Sequence, residues 1–197
     1  DKASIGQIFA DAALSMFPVA GEITAARDLV AILLKMADDK KQASDIINWV
    51  KIILCLLPII PIFGGILKGV GRLLIIVIKD ATKAAEVAAA ILAFLRKMGY
   101  GNSVAFIQKL NFAQYQGKIL AEFKNGISRM KEGFTFINQK MGKALPESVS
   151  IYVNSMGPKL DELGRLADKM IPAAIKELDQ ALNKVRSEVI RQMNETG

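Results

Sequence analysis

An apolar stretch from Ile46 to Ile78, interrupted in its middle by Pro58, Pro61, Gly64 and Gly65, constrains this chain more than any other feature. Lys51, Lys68 and Arg72 are the only charges across it. A segment this apolar has to find a dry environment, either in the protein's own core or in a membrane. The chain has 197 residues, 52% of them hydrophobic, enough for one large domain or two small ones with a sizeable core.

Strand-like alternation and Asn-Gly or Asp-Gly hairpin turns are nearly absent, whereas Ala, Leu, Ile, Lys, Met and Glu recur at spacings of three and four. The sequence therefore predicts an all-α fold: a multi-helix bundle with a buried hydrophobic helical hairpin and a long antiparallel helical pair. It divides into an apolar helical subdomain with the central hairpin (residues 1–101) and a long-helix antiparallel subdomain (residues 102–197), packed as one unit.

A capping box at Ser4 and Gln7 opens a first amphipathic helix that Phe17-Pro18 stops, and a second runs from Ile23 to Ala37 before the polar Asp38 to Lys41. Ser44 is placed to cap a third helix from Asp45 to Leu57, where Pro58 removes a backbone donor. Apolar character resumes at Ile66 and culminates in the aliphatic run Leu73 to Ile78. An alanine-rich helix from Ala84 to Leu95 is closed by Gly99-Tyr100-Gly101-Asn102.

From Asn111 onward, Phe112, Tyr115, Ile119, Phe123, Ile127, Met130, Phe134, Ile137 and Met141 step by threes and fours, which marks one long helix with a narrow apolar seam. Gly142 and Pro146 end it, a short helix follows from Glu147 to Ser155, and Gly157-Pro158 breaks that in turn. Leu160, Leu163, Ala167, Met170, Ala174, Leu178, Ala181, Val185 and Val189 then form a second seam, with Pro172 as a kink or restart. Phe123, Ile127, Met130 and Phe134 should meet Leu178 and Val185, or a partner helix, along these seams.

Chemistry is scarce. There is no histidine, which removes the commonest general base and most metal-site and nucleophile constellations, and the acidic residues Asp161, Glu162, Asp168, Glu177 and Asp179 read as solvated charges with i,i+4 partners such as Arg165. Gly64, Gly65, Gly69 and Gly71 lack the Gly-Lys-Ser/Thr ending of a phosphate loop and read as turn or close-packing positions. Cys55 is the only cysteine and reads as a core thiol. The expectation is a non-enzymatic protein with no cofactor, no metal and no catalytic residues.

The net charge of +7 is spread evenly, with 12 basic and 9 acidic residues in 1–98 against 14 and 10 in 99–197, so no nucleic-acid partner is expected. No signal peptide is visible, and the opening at Asp1 reads as a cut in a longer polypeptide.

The functional candidate is the apolar segment itself, carried by Trp49, Leu57, Pro58, Pro61, Phe63, Gly64, Gly65, Leu73 and Ile78. Its arms, Ile46 to Leu57 and Ile66 to Ile78, are each about 18–20 Å long as helix, against about 30 Å for a bilayer core, so neither spans alone. A kinked span from Ile46 to Leu67 would need Lys51 to snorkel. Storage as a hairpin inside the bundle and entry into a membrane are both compatible with the pattern.

The run Phe17-Pro18-Val19-Ala20-Gly21-Glu22-Ile23-Thr24-Ala25-Ala26-Arg27-Asp28-Leu29-Val30, the stretch Leu67-Lys68-Gly69-Val70-Gly71-Arg72, and the later Met170-Ile171-Pro172-Ala173-Ala174-Ile175-Lys176-Glu177-Leu178-Asp179 carry a resemblance. Together they resemble the helical pre-toxin (middle) region of bacterial polymorphic toxins, among them effectors of the type VI secretion system. The resemblance implies a non-enzymatic helical domain of a secreted antibacterial toxin, passed from a bacterial cell into a target cell. Its partners would be the attached toxin and delivery domains of the same polypeptide, a chaperone or immunity protein, and a membrane. Two other expectations stand beside it: a colicin-like pore-forming toxin that inserts the Ile46 to Ile78 hairpin, and a helical module that binds a partner along the two seams.

Overall fold

Residues 23–61, 63–141 and 143–196 are described by a computed structural model, and among them are eight α-helices and no strand. In chain order they are α1 (Ile23–Asp38), α2 (Lys40–Ser44), α3 (Ile46–Leu56), α4 (Gly64–Lys79), α5 (Ala84–Lys97), α6 (Ser103–Lys109), α7 (Gln116–Met141) and α8 (Glu147–Thr196). The fold is the expected all-α bundle. The first amphipathic helix expected between Ser4 and Phe17 lies outside the described residues.

Several boundaries differ from the sequence expectation, each for a local reason. Ser44 does not cap α3: it is still helical at the end of α2, and its hydroxyl donates to the Lys40 carbonyl at 2.8 Å. Asp45, in extended backbone, is the cap, and its carboxylate accepts from the Ile47 amide at 2.9 Å. The polar stretch after Asp38 holds a helix of its own, capped by Asp39 through the Lys41 amide at 2.9 Å. Past Lys97, Gly99 at φ +91 lets the Tyr100 amide reach the Leu95 carbonyl and its own amide the Arg96 carbonyl, both at 3.0 Å. Helix α6, to which the apolar spacing gives no element, follows directly under an Asn102 cap.

The largest departure is α8. Instead of a short helix ending near Gly157-Pro158 and a second helix with Pro172 as a kink or restart, 50 residues run as one helix with both prolines inside it, so there is no break at Pro158 and no restart at Pro172. A proline within a helix costs about 3 kcal/mol. Along the same helix Val149, Val153, Met156, Leu160, Leu163, Ile171, Leu178, Leu182, Val185 and Val189 are all buried. Each fully buried aliphatic side chain contributes about 1.5–3 kcal/mol, so the seam outweighs both interruptions.

Helix α8 packs most extensively against α7 and also against α1, α3, α4, α5 and α6, so one core runs through both halves of the chain. The α7–α8 pair is antiparallel. Lys124 meets Asp168 at 2.7 Å, Lys131 meets Asp161 at 2.6 Å and Asn138 meets Asn154 at 2.8 Å, the residue numbers rising on one helix as they fall on the other. Asp161 and Asp168 therefore pair across helices rather than along their own. Phe123, Ile127, Met130 and Phe134 are buried, and so are Leu178 and Val185, but in this register Leu178 and Val185 lie near residues 107–113, ahead of α7, rather than opposite the Phe123 to Phe134 seam.

Asp179 is not a solvated charge either. Its carboxylate accepts from the amides of Phe112 and Ala113 at 2.7 and 3.1 Å. Arg186 donates Nε to the Ile107 carbonyl at 3.0 Å and Nη2 to the Leu110 carbonyl. Two side chains of α8 thus clasp the end of α6 and the turn at Ala113–Tyr115 that leads into α7. Phe112, buried but outside the helix, fills the space beneath.

At its other end α8 holds α1: the Tyr152 hydroxyl donates to Asp38 Oδ2 at 3.1 Å and Lys159 Nζ to Asp38 Oδ1 at 3.2 Å. Burial, together with the charge and hydrogen bond of Asp38, pushes the Tyr152 phenol up to about 12.

Two outcomes follow. Asp179→Ala strands two backbone amides and should cost about 2 kcal/mol in urea unfolding, well beyond an exposed surface substitution. Because the folded protein holds the Tyr152 proton more tightly than the usual 10.0, that stability is whole below pH 10 and declines as the pH rises through about 12. Tyr152→Phe should lose less stability than the wild type across this alkaline window, measured by unfolding at matched pH.

Candidate functional site

The segment that dominates the sequence forms a hairpin of two unequal arms. On α3, Trp49, Val50 and the run Ile52 to Leu56 are buried, with Leu57 just beyond. Two polar groups go inside with them and both are satisfied: Asn48 Nδ2 donates to the backbone and side-chain oxygens of Gln42 at 2.9 Å, and Trp49 Nε1 donates to the Ala43 carbonyl at 2.7 Å. The Trp49 ring also lies 5.3 Å from that of Phe123 on α7. This arm is held to α2 on one side and to the long pair on the other.

The second arm is less enclosed. Helix α4 buries Ile66, Leu67, Val70, Leu74 and Val77, leaves Leu73 and Ile78 half-buried, and exposes Ile76 at 42%. The aliphatic run Leu73 to Ile78 therefore presents one face to the core rather than disappearing into it. Between the arms, Leu57–Ile59 makes a tight turn with Pro58 half-buried, Pro61 exposed and Phe63 38% exposed.

The glycines decide how closely the arms approach. A Cβ on Gly64 would run into the Leu57 carbonyl and stand 2.8 Å from Pro58 Cα, both fixed backbone atoms. One on Gly71 would strike the Leu54 side chain, and one on Gly69 the ring of Phe94 on α5. Gly65 faces open space. At the far end Asp80 closes the hairpin, its Oδ1 accepting from the Thr82 hydroxyl at 2.6 Å and the Thr82 amide at 3.1 Å. These bonds hold its carboxyl below the usual carboxylate range, so the cap is complete above that range and is lost only as the pH falls through the lowered value.

Two open grooves flank the hairpin, and apolar spacing alone marks neither. At the turn, Phe63 and Leu67 meet Tyr100, Phe106, Leu110 and Tyr115 around about 450 Å³, with the Phe106 ring 4.8 Å from Tyr100 and 6.3 Å from Phe63. Asn102, Lys109 and Gln114 rim it. Across the hairpin, Lys51 from α3 and Lys68 and Arg72 from α4 converge with Asp28 of α1 on a second groove of about 380 Å³ floored by Leu54, Cys55 and Ile75. Every charge in the Ile46 to Ile78 stretch lines this one groove.

Among the described residues no three His, Cys, Asp or Glu side chains gather as a metal site would require. No helix among them is long and apolar enough to cross a membrane. The continuous span from Ile46 to Leu67 considered from the sequence is divided by the turn after Leu56. No family model, curated protein or solved structure matches the chain.

The glycine geometry gives an ordered expectation. Gly64→Ala should destabilise by about 1–3 kcal/mol, because backbone has to move to admit the methyl group. Gly71→Ala should cost less, since the Leu54 side chain can shift. Gly65→Ala, in the open first turn of α4, should gain about 0.5–1 kcal/mol. Chemical unfolding of the three variants reads the order directly.

Proposed function

We propose that this chain is a non-enzymatic helical domain of a secreted antibacterial toxin, of the type VI effector kind, which scaffolds an attached toxin domain and helps it across the target membrane. The observation that carries the reading is the hairpin: a long apolar segment folded back on itself, wrapped by amphipathic helices, with all its charge on one side. An ordinary core needs no such concentration, since apolar residues dispersed over many helices bury as well. The likeness of the Phe17 to Val30, Leu67 to Arg72 and Met170 to Asp179 stretches to polymorphic-toxin middle regions gives the hairpin a setting.

Arm length favours a helper over an autonomous pore. At about 1.5 Å per residue the 11 residues of α3 reach about 16 Å and the 16 of α4 about 24 Å, short of the roughly 30 Å hydrocarbon core. Such arms suit shallow or transient entry better than a lasting pair of spans. The seam residues Phe123, Ile127, Met130, Phe134, Leu178 and Val185 are buried within the bundle, which favours this reading over a module that docks a partner along them.

Trp49 is the only tryptophan and sits on the hairpin, so its fluorescence reports the segment alone. With vesicles containing brominated phospholipid and entrapped dye, we expect acidification to bring Trp49 quenching while the dye is retained. Rapid dye release at low protein concentration would replace this reading with the pore-forming toxin. Absence of quenching from neutral to strongly acidic pH would remove the membrane role.

A further inference from the structure

We infer that the groove between α1, α3 and α4 is a docking surface for anionic phospholipid, through which the folded protein adsorbs to a membrane before the hairpin moves. The inference rests on the membrane role proposed above and names the lipid chemistry that would recruit it. Charge at these positions is otherwise hard to place. Lys51, Lys68 and Arg72 are the only ionic groups in the apolar stretch from Ile46 to Ile78, they come from two different helices, and they meet on one groove. Neither Lys51 nor Arg72 has an ion-pair partner among the described residues, and both are exposed.

The composition of the groove selects the occupant. Among the described residues, Lys51 and Arg72 stand unpaired on a lining with one carboxylate, Asp28, so the rim carries an excess of positive charge. Leu54 and Ile75 supply an apolar floor, and at about 380 Å³ the groove is far roomier than an inorganic anion needs. A phosphate head beside an acyl or glyceryl portion matches both parts. Nucleic acid would instead call for a longer basic track with aromatic stacking surfaces, and among the described residues this groove has no aromatic lining.

A basic side chain near an anionic bilayer contributes about fivefold in partitioning, and the attraction is screened by salt. The full chain should therefore co-sediment at neutral pH and low salt with vesicles of equimolar phosphatidylcholine and phosphatidylglycerol. It should stay in solution with pure phosphatidylcholine. Lys51→Gln combined with Arg72→Gln should weaken binding by about thirtyfold. The charge-preserving pair Lys51→Arg with Arg72→Lys should bind as the wild type does, which separates charge from fold.

The control is Lys176→Gln with Lys184→Gln, which removes the same charge from exposed positions on α8. An equal loss in this control would reduce the effect to net charge and overturn the assignment, as would equal binding to pure phosphatidylcholine. Complete competition by inorganic phosphate would place a small soluble anion in the groove instead and overturn it likewise. Sedimentation without Trp49 quenching would leave this surface standing while removing the translocation role. Quenching that is indifferent to anionic lipid would sink the surface and spare the role.

Discussion

The continuous seam of α8 is the constraint on which the rest of this structure depends. Because one 50-residue helix touches α1, α3, α4, α5, α6 and α7, no part of the described bundle has an independent core. The two prolines within it are tolerated for that reason. A helix supported on several sides keeps its course where a free helix would break, since each turn is fixed by side chains packed on neighbours as well as by its own hydrogen bonds.

That dependence explains what was readable in the sequence and what was not. The seams of α7 and α8 stand out because Phe123, Ile127, Met130 and Phe134 repeat at helical spacing, and such a repeat survives into the fold. The hairpin is equally plain, since a run from Ile46 to Ile78 with three charges has few fates. Helix ends were less legible. Ser44 and Asp45 are both good caps, and only the backbone geometry at Asp45 decides between them. Pro158 and Pro172 are strong local stop signals, overruled by tertiary contacts that local spacing does not carry.

The polar contacts were the least visible. Asp179 reaches amides 66 and 67 residues earlier in the chain, and Arg186 reaches carbonyls 76 and 79 residues away. Nothing in a helical charge pattern distinguishes such residues from solvated neighbours. The groove of Lys51, Lys68 and Arg72 is an intermediate case. Lys68 and Arg72 share a face by their four-residue spacing, but that Lys51 joins them depends on the angle of the hairpin, and hence on Gly64 and Gly71 allowing the arms to close.

The same energetics restrict how a stored hairpin can ever be used. The seven buried apolar side chains of α3 alone represent on the order of 10–20 kcal/mol of transfer free energy, comparable with or above the 5–15 kcal/mol net stability of a typical domain. Moving this arm into water would amount to unfolding the protein. Moving it into hydrocarbon costs far less, because the apolar surface exchanges one dry environment for another. An exit therefore requires the bilayer to be in contact before the core opens, and the chain has no histidine to act as a switch between about pH 5 and 8. The partly exposed α4 arm, with Ile76 already outside and its two cations on the rim, is the part that can meet a surface while Trp49 and Asn48 still hold α3 in place. On the proposed membrane role, adsorption through charge, followed by transfer of α4 and only then of α3, is the order in which each step would expose the least apolar area to water.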